Sequence, residues 1–124
     1  MISAAQARGD AKAALDSLMA LIDVHALRND DGAVATTVSR ALDLADDARD
    51  IGALHDRRGR ATLGTDVASS VADLRIALEV WRSEGDDHAS VATAVALSEQ
   101  LVRYGDVESA TATYETARRL VVRS

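Results

Sequence analysis

Small and apolar residues recur along this chain at steps of three and four, the spacing of residues on one face of an α-helix. One such stripe, near the end of the sequence, consists of Val107, Ala110, Tyr114, Ala117 and Val121. Two others run from Val34 to Ala48 and from Val67 to Trp81. No segment alternates apolar and polar residues between two turn signals, so the pattern predicts no β-strand. We therefore expect an all-α protein.

Short polar segments that combine Asp with Gly or Asn separate these stripes. They lie at residues 29–32, 64–66, 85–87 and 105–106. Glycine adopts the left-handed conformation that ends a helix, and the Asp that follows it can accept a hydrogen bond from a free N–H of the next helix. The sequence therefore predicts six helices, at residues 11–28, 31–49, 51–63, 66–84, 87–103 and 106–122.

The chain also repeats itself. Asp30, Asp66 and Asp106 are 36 and then 40 residues apart, and the same two offsets superpose a set of small or apolar residues. The most uniform of the superposed positions is occupied by Ala41, Ala77 and Ala117. A small residue at a fixed place in each unit indicates that neighbouring helices cross there at a short distance.

This pattern resembles the tetratricopeptide repeat, most closely in the segment 91–120. Leu97 and Ser98 stand where the family has Leu-Gly, and residues 105–106 match its turn between helices. The small, aromatic and small positions of the family's second helix correspond to Ala110, Tyr114 and Ala117. Residues 77–86 are similar to the end of a second helix in the longer repeats that are common in bacterial regulators.

The resemblance implies one domain, residues 1–124, built as a right-handed superhelical stack of three antiparallel helix pairs. The implied repeats lie at about 11–50, 51–85 and 86–124. The family's closing Pro is absent throughout, and Arg57 and Arg58 stand where an apolar and a small residue would pack. Residues 9–10, Gly-Asp, look like a further turn, so helix 11–28 could instead end a truncated earlier repeat. We prefer to pair it with the next helix.

In the family, the first helix of each pair lines an inner wall that binds a protein or peptide. The resemblance places on this wall Met19, Asp23, Leu27, His55, Gly59, Val95, Glu99, Val102 and Arg103. It thereby implies a protein-interaction scaffold, of the kind found in bacterial regulatory and signalling proteins.

The family's clamp for a terminal carboxylate needs Asn and Lys. Only Asn29, in a turn, and Lys12, near the start, are available here, so we do not expect that clamp.

Three arginines, Arg57, Arg58 and Arg60, form a basic cluster on the third predicted helix of an acidic chain. Guanidinium groups bind carboxylates in bidentate pairs, so the cluster favours an acidic protein or peptide as the partner. Alternatively, this helix is rotated or frayed, and the arginine stems cover apolar surface of the chain itself.

Composition narrows the range of functions further. The net charge is −6 and the pI is about 4.9, which opposes binding to the phosphates of nucleic acids. Without Cys there is no disulfide, thiolate nucleophile or Cys-ligated zinc. The start of the chain lacks the apolar stretch of a signal peptide, and no segment has the length of a membrane span. These features favour a soluble, cytoplasmic protein that interacts with neither nucleic acid nor membrane. The preference for Arg over Lys suggests a bacterial origin.

No set of residues predicts catalysis or metal binding. His25, His55 and His88 lie on different predicted helices, and none belongs to a local catalytic pattern. Residues 43–50 contain four aspartates, which we interpret as a solvated helical face paired with Arg40 and Arg49. We therefore expect a protein that is not an enzyme and has no cofactor and no metal ion.

The last predicted helix also suggests a second function. Helix pairs in a stack leave their terminal faces uncovered, and this helix carries Tyr114, Leu120 and Val121 there. A large apolar end face favours association. The alternative to a scaffold is therefore a self-association module that forms a homodimer through residues 106–122. A continuing chain or a partner protein could cover the same face.

Overall fold

The structure is a computed structural model that describes residues 3–123. It contains six α-helices: α1 (Ala4–Leu27), α2 (Asp31–Leu42), α3 (Ala48–Ala61), α4 (Val67–Ser83), α5 (Asp87–Tyr104) and α6 (Val107–Arg123). Each helix packs against the next along the chain. No β-strand occurs among the described residues, so the predicted all-α class and the six helices are confirmed. None of the helices found between residues 3 and 123 is both long enough and apolar enough to span a bilayer.

The four polar segments end one helix and cap the next, as the sequence predicted. Each contains one residue with a left-handed backbone: Asn29, Gly64, Gly85 and Gly105, with φ angles of 56°, 78°, 70° and 95°. In each segment an aspartate then accepts a hydrogen bond, at 3.0–3.1 Å, from the backbone N–H three residues further on. These aspartates are Asp30, Asp66, Asp86 and Asp106. Turn chemistry thus sets the helix boundaries on both sides of each loop.

Helix α1 begins at Ala4, seven residues before the predicted start, so the interpretation of Gly9 and Asp10 as a turn is wrong. The Ser3 hydroxyl caps the helix by accepting from the Gln6 N–H at 3.1 Å. A single glycine costs an exposed helix only about 1 kcal/mol, and a methyl group at Gly9 would touch nothing within 4 Å. The helix therefore continues through this point, and the turn needed for a truncated earlier repeat is missing.

Helix α2 ends at Leu42 and α3 starts at Ala48, so the predicted extension of α2 to residue 49 is wrong. The Asp47 carboxylate accepts from the backbone N–H of Arg49 at 2.8 Å and of Asp50 at 3.3 Å, which starts α3 there. The aspartates of this region therefore do not share one helical face. Arg49 instead pairs with Asp86, at 3.0 Å, beside the start of α5.

Two apolar clusters form the core. The first joins α1, α2 and α3 around Ile22 and Leu54, and the second joins α4, α5 and α6 around Leu74 and Leu101. Each of these four side chains is at most 2% exposed. Gly59, which the resemblance assigned to an inner wall, is buried instead in the contact between α3 and α4. The two clusters are thus linked through a close helix crossing.

The small position of the repeat is buried in all three units. Ala41, Ala77 and Ala117 are 0%, 0% and 3% exposed. The superposed position three residues earlier is occupied by Val38, Leu74 and Tyr114. Val38 and Leu74 are both 0% exposed, whereas Tyr114 is 54% exposed because no described helix covers it. The repeated sequence pattern therefore corresponds to repeated burial, except on the uncovered side of α6.

Candidate functional site

Arg58, in the predicted basic cluster, is bound to a carboxylate of this chain. Its Nε donates to Oδ2 of Asp73 on α4 and its Nη2 donates to Oδ1, each at 2.9 Å. The Nδ1 atom of His55 lies 2.9 Å from the same Oδ1. Asp73 is only 5% exposed, so this group of three side chains closes the contact between α3 and α4.

The surroundings of Asp73 keep the pair charged. Burial raises the pKa of the Asp73 carboxyl, but the hydrogen bonds from Arg58 and His55 outweigh burial and hold that pKa below its usual value. The hydrogen bond to Asp73 in turn raises the pKa of Arg58. Arg58 also donates from Nη1 to the Ser39 hydroxyl of α2 at 3.0 Å. Its guanidinium therefore links α2, α3 and α4, which is a structural role.

Arg57 and Arg60 form more exposed ion pairs. The Nη2 of Arg57 donates to the carboxylate of Asp23 on α1, and the Nε of Arg60 donates to Asp56, one turn earlier on α3, at 2.7 Å. The other Asp56 oxygen accepts from the Thr93 hydroxyl of α5 at 3.4 Å. These contacts connect α1 to α3 at the surface, and α3 to α5 through Thr93, which is 0% exposed. The Arg57 and Asp23 side chains are 49% and 60% exposed, so this pair contributes only about 0.2–1 kcal/mol and a carboxylate of a partner can exchange for Asp23. The Asp56 side chain is only 22% exposed, so the second pair is more firmly held, although Arg60 itself is 41% exposed.

The other described residues predicted for the inner wall form no hydrogen bond or ion pair with the residues that make these contacts. Leu27, at the end of α1, is 85% exposed, and Val95 of α5 is 38% exposed. Met19 is half-buried against the first apolar cluster. Glu99 and Arg103 are exposed on α5. The structure thus brings the charged residues of α1 and α3 together, while these five side chains lie beside them as separate surface features.

A second candidate surface is an apolar groove between α5 and α6. It encloses about 280 Å³ and includes Val102, Val107 and Tyr114, which are 57%, 63% and 54% exposed. Val121, predicted for self-association, is 57% exposed. Leu120, predicted for the same face, is only 6% exposed. It lies on another side of α6, where it borders a cavity shared with α4, and it belongs to the interior of the protein.

Within residues 3–123, no three His, Asp or Glu side chains are placed to hold a metal ion. His25 on α1 and His88 on α5 lie on other helices than His55 of α3. Comparisons with known protein families, with curated proteins and with solved structures find no match to this chain. Its function is therefore argued from its own surfaces.

Sequence reasoning missed Asp73, although a signal was present. Asp73 falls within the buried stripe of α4, three residues after Ser70 and one before Leu74. A carboxylate on a buried helix face needs a cation to compensate for lost hydration. Arg58, the residue that broke the repeat pattern on the preceding helix, is that cation. Arg58 and Asp73 thus both depart from the apolar pattern because they form an ion pair with each other.

Proposed function

We propose that this chain is a helical-repeat scaffold, similar to tetratricopeptide repeat proteins, that binds a protein or peptide partner along α1, α3 and α5. The main support is the line of contacts from Asp23 through Arg57 on α3, and from Asp56 on α3 to Thr93, which joins the first helix of each predicted pair. Stacked pairs present their first helices as one extended surface. In this proposal the three pairs form a right-handed superhelix.

The chemistry of this surface favours a partner with carboxylates beside apolar anchors. Arg57 holds the exposed carboxylate of Asp23, which a ligand can replace, and the Arg60 side chain is itself 41% exposed. Arg58, in contrast, stays bound to the buried Asp73. Leu27 and Val95 offer exposed apolar contacts on the two flanking helices. An acidic peptide with an apolar side chain would use both kinds of contact.

The proposal predicts that charge reversal at the two exposed arginines, Arg57 and Arg60, weakens capture of the partner. Tagged wild-type protein and an Arg57→Glu/Arg60→Glu variant would be compared in pull-downs from lysate of the source organism, with bound proteins quantified by mass spectrometry. The matched control is Arg28→Glu/Arg40→Glu, which changes the net charge equally on two exposed residues, one in the turn after α1 and one on α2. We expect one set of proteins to be lost from the first variant alone. Equal capture by all three proteins would contradict the proposed surface.

Self-association is the second candidate function, because the groove between α5 and α6 exposes Val102, Val107 and Tyr114 together. If two copies bury these grooves against each other, wild-type protein sediments as a dimer in analytical ultracentrifugation. Tyr114→Glu should then sediment as a monomer, since it places a charge in the contact. Val24→Glu, at an apolar site on α1 that is 42% exposed, is the control and should remain dimeric. A wild type that stays monomeric at high concentration rules this function out.

A further inference from the structure

A basic groove runs between α4 and α6, two helices that take no part in the proposed surface of α1, α3 and α5. It consists of two adjoining cavities, of about 540 Å³ and about 170 Å³, that share Arg82 in their walls. Arg75 lines the larger cavity, and Arg119 and Arg123 line the smaller one. Four arginines therefore line two neighbouring depressions that meet at Arg82.

Helical spacing places these arginines on facing sides of the two helices. Arg75 and Arg82 are seven residues apart, which is about two turns of α4. Arg119 and Arg123 are four residues apart, about one turn of α6, and so lie on the same face. All four arginines lie on helices, and both α4 and α6 pack against α5.

The positive charge of the groove is only partly neutralised. Hydrogen bonds lower the pKa of Asp106 and that of Glu115, and the charges of Arg75 and Arg119, respectively, help to lower them further. Arg82 and Arg119 form no ion pair with a carboxylate of residues 3–123.

Arg123 pairs with Asp87 at 2.9 Å, but the two side chains are 68% and 34% exposed, and such a pair exchanges readily. Glu79 is the one acidic side chain among the described residues that line the two cavities. In a chain of net charge −6, the groove is a local focus of positive potential.

The ends of the helices account for only part of this charge. Arg82 and Arg123 lie in the last turns of α4 and α6, where a cation offsets the helix dipole. Arg75 lies about two turns before the end of α4, and Arg119 about one turn before the end of α6. The dipole effect fades beyond the last turn, so it gives no reason for these two arginines to face the same groove.

We propose that the groove between α4 and α6 binds an acidic peptide segment of a partner protein. Its carboxylates would lie on the four arginines, and its apolar side chains would contact Leu78, Leu97 and Leu120 at the base of the cavities. A small free anion needs only one cavity, whereas two adjoining cavities with apolar and cationic walls fit an extended chain. This site lies on the second helices of the predicted pairs and goes beyond the surface proposed above.

The probe is a short fluorescein-labelled peptide of alternating glutamate and leucine, titrated with the intact protein and followed by fluorescence anisotropy at low and at physiological salt. Because both arginines are exposed, Arg82→Glu/Arg119→Glu should retain the helical circular dichroism of the wild type. All proteins in this titration, including the wild-type reference, also carry Arg57→Gln/Arg60→Gln, which removes the exposed cations of the surface proposed on α1, α3 and α5. In that background we expect the groove variant to bind the peptide at least about tenfold more weakly. Arg82→Gln/Arg119→Gln should give an intermediate loss. Binding by the wild type should weaken as salt increases.

The matched control is again Arg28→Glu/Arg40→Glu, which should bind within about twofold of wild type, since its arginines lie outside the groove. Three results would overturn the proposal. The wild type could fail to bind the peptide at low salt. The groove variant and the control could lose affinity equally, which would reflect net charge alone. Inorganic phosphate at the peptide's concentration could displace it completely, which would indicate a site for small anions. Arg82→Glu/Arg119→Glu alone leaves the surface of α1, α3 and α5 unchanged. The proteins that this variant captures in a pull-down therefore test that surface independently of the groove.

Discussion

Asp73→Ala should lower the free energy of unfolding by about 3 kcal/mol. The substitution leaves the Arg58 guanidinium without both of its 2.9 Å hydrogen bonds to a carboxylate that is 5% exposed. Removing one partner of a buried ion pair costs about 3–5 kcal/mol, because the other charge stays desolvated. The Arg58 side chain is 26% exposed and can partly turn towards solvent, which places the expected loss at the lower end of that range. Urea unfolding followed by helical circular dichroism measures it.

Two further variants separate the loss of the buried Asp73–Arg58 pair from the general effect of removing a carboxylate. Glu115→Ala breaks the surface pair with Arg118, where both side chains are well exposed, and should change stability little. Asp73→Leu/Arg58→Met removes both charges and should recover much of the stability, because apolar side chains replace buried ion pairs well. If Asp73→Ala is no more harmful than Glu115→Ala, the pair between α3 and α4 does not contribute as the structure implies.

The same carboxylate gives stability a defined dependence on pH. Its folded-state pKa lies below the usual value, so the stabilisation is complete above the unfolded-state pKa of about 3.9. It is lost as the pH falls through the lower pKa of the folded state. When the pH is lowered from neutral to below about 4, the free energy of unfolding should therefore fall less for Asp73→Asn than for the wild type. The helix-capping aspartates contribute equally to both proteins, so the difference between the two curves isolates Asp73.

The sequence predicted the helix boundaries best where turn chemistry was explicit. At Gly105 and Asp106, a left-handed residue is followed at once by a capping carboxylate, and both do in the structure what their types predict. The errors occurred where the same residue types serve other purposes. Gly9 is tolerated within α1, and Asp47 caps α3 without a glycine before it. Residue type alone does not distinguish a cap from a helix interior, because the choice depends on tertiary packing.

The candidate surfaces were less predictable, because they depend on which helices lie side by side. Arg57, Arg58 and Arg60 were identified as one cluster, but the structure gives them three different carboxylates and separates Arg58 from the other two. Arg82 and Arg119 were not connected at all, since they are far apart in sequence and meet only across a groove. Periodicity shows which face of a helix a residue occupies, whereas the partner of that face comes from the fold.

The glycines of α3 show how the same residue type supports two interpretations. Small residues on the second helices, such as Ala77, predicted the places where neighbouring helices cross. The structure places Gly52 and Gly59, two turns apart on α3, at the corresponding contacts with α4. A methyl group on Gly52 would lie 2.7 Å from Val80 Cγ1, and one on Gly59 would lie 2.9 Å from Leu74 Cγ. Both distances are too short for real carbon contacts, so the absence of a side chain allows this crossing.

Gly59→Leu should therefore destabilise the protein by about 3 kcal/mol, at the upper end of what overpacking a core usually costs. The new side chain would meet Leu74 and the backbone-proximal Cβ of Asp73, which lies 3.2 Å from the added methyl position. Separating the helices to make room would also strain the 2.7 Å hydrogen bond from the Ser70 hydroxyl to the Gly59 carbonyl. Gly9→Leu is the control: it lies on the exposed part of α1, where an added Cβ has no neighbour within 4 Å and helix propensity improves. In urea unfolding it should be neutral or slightly stabilising. Equal stability of the two variants would mean that α3 and α4 do not cross at Gly59.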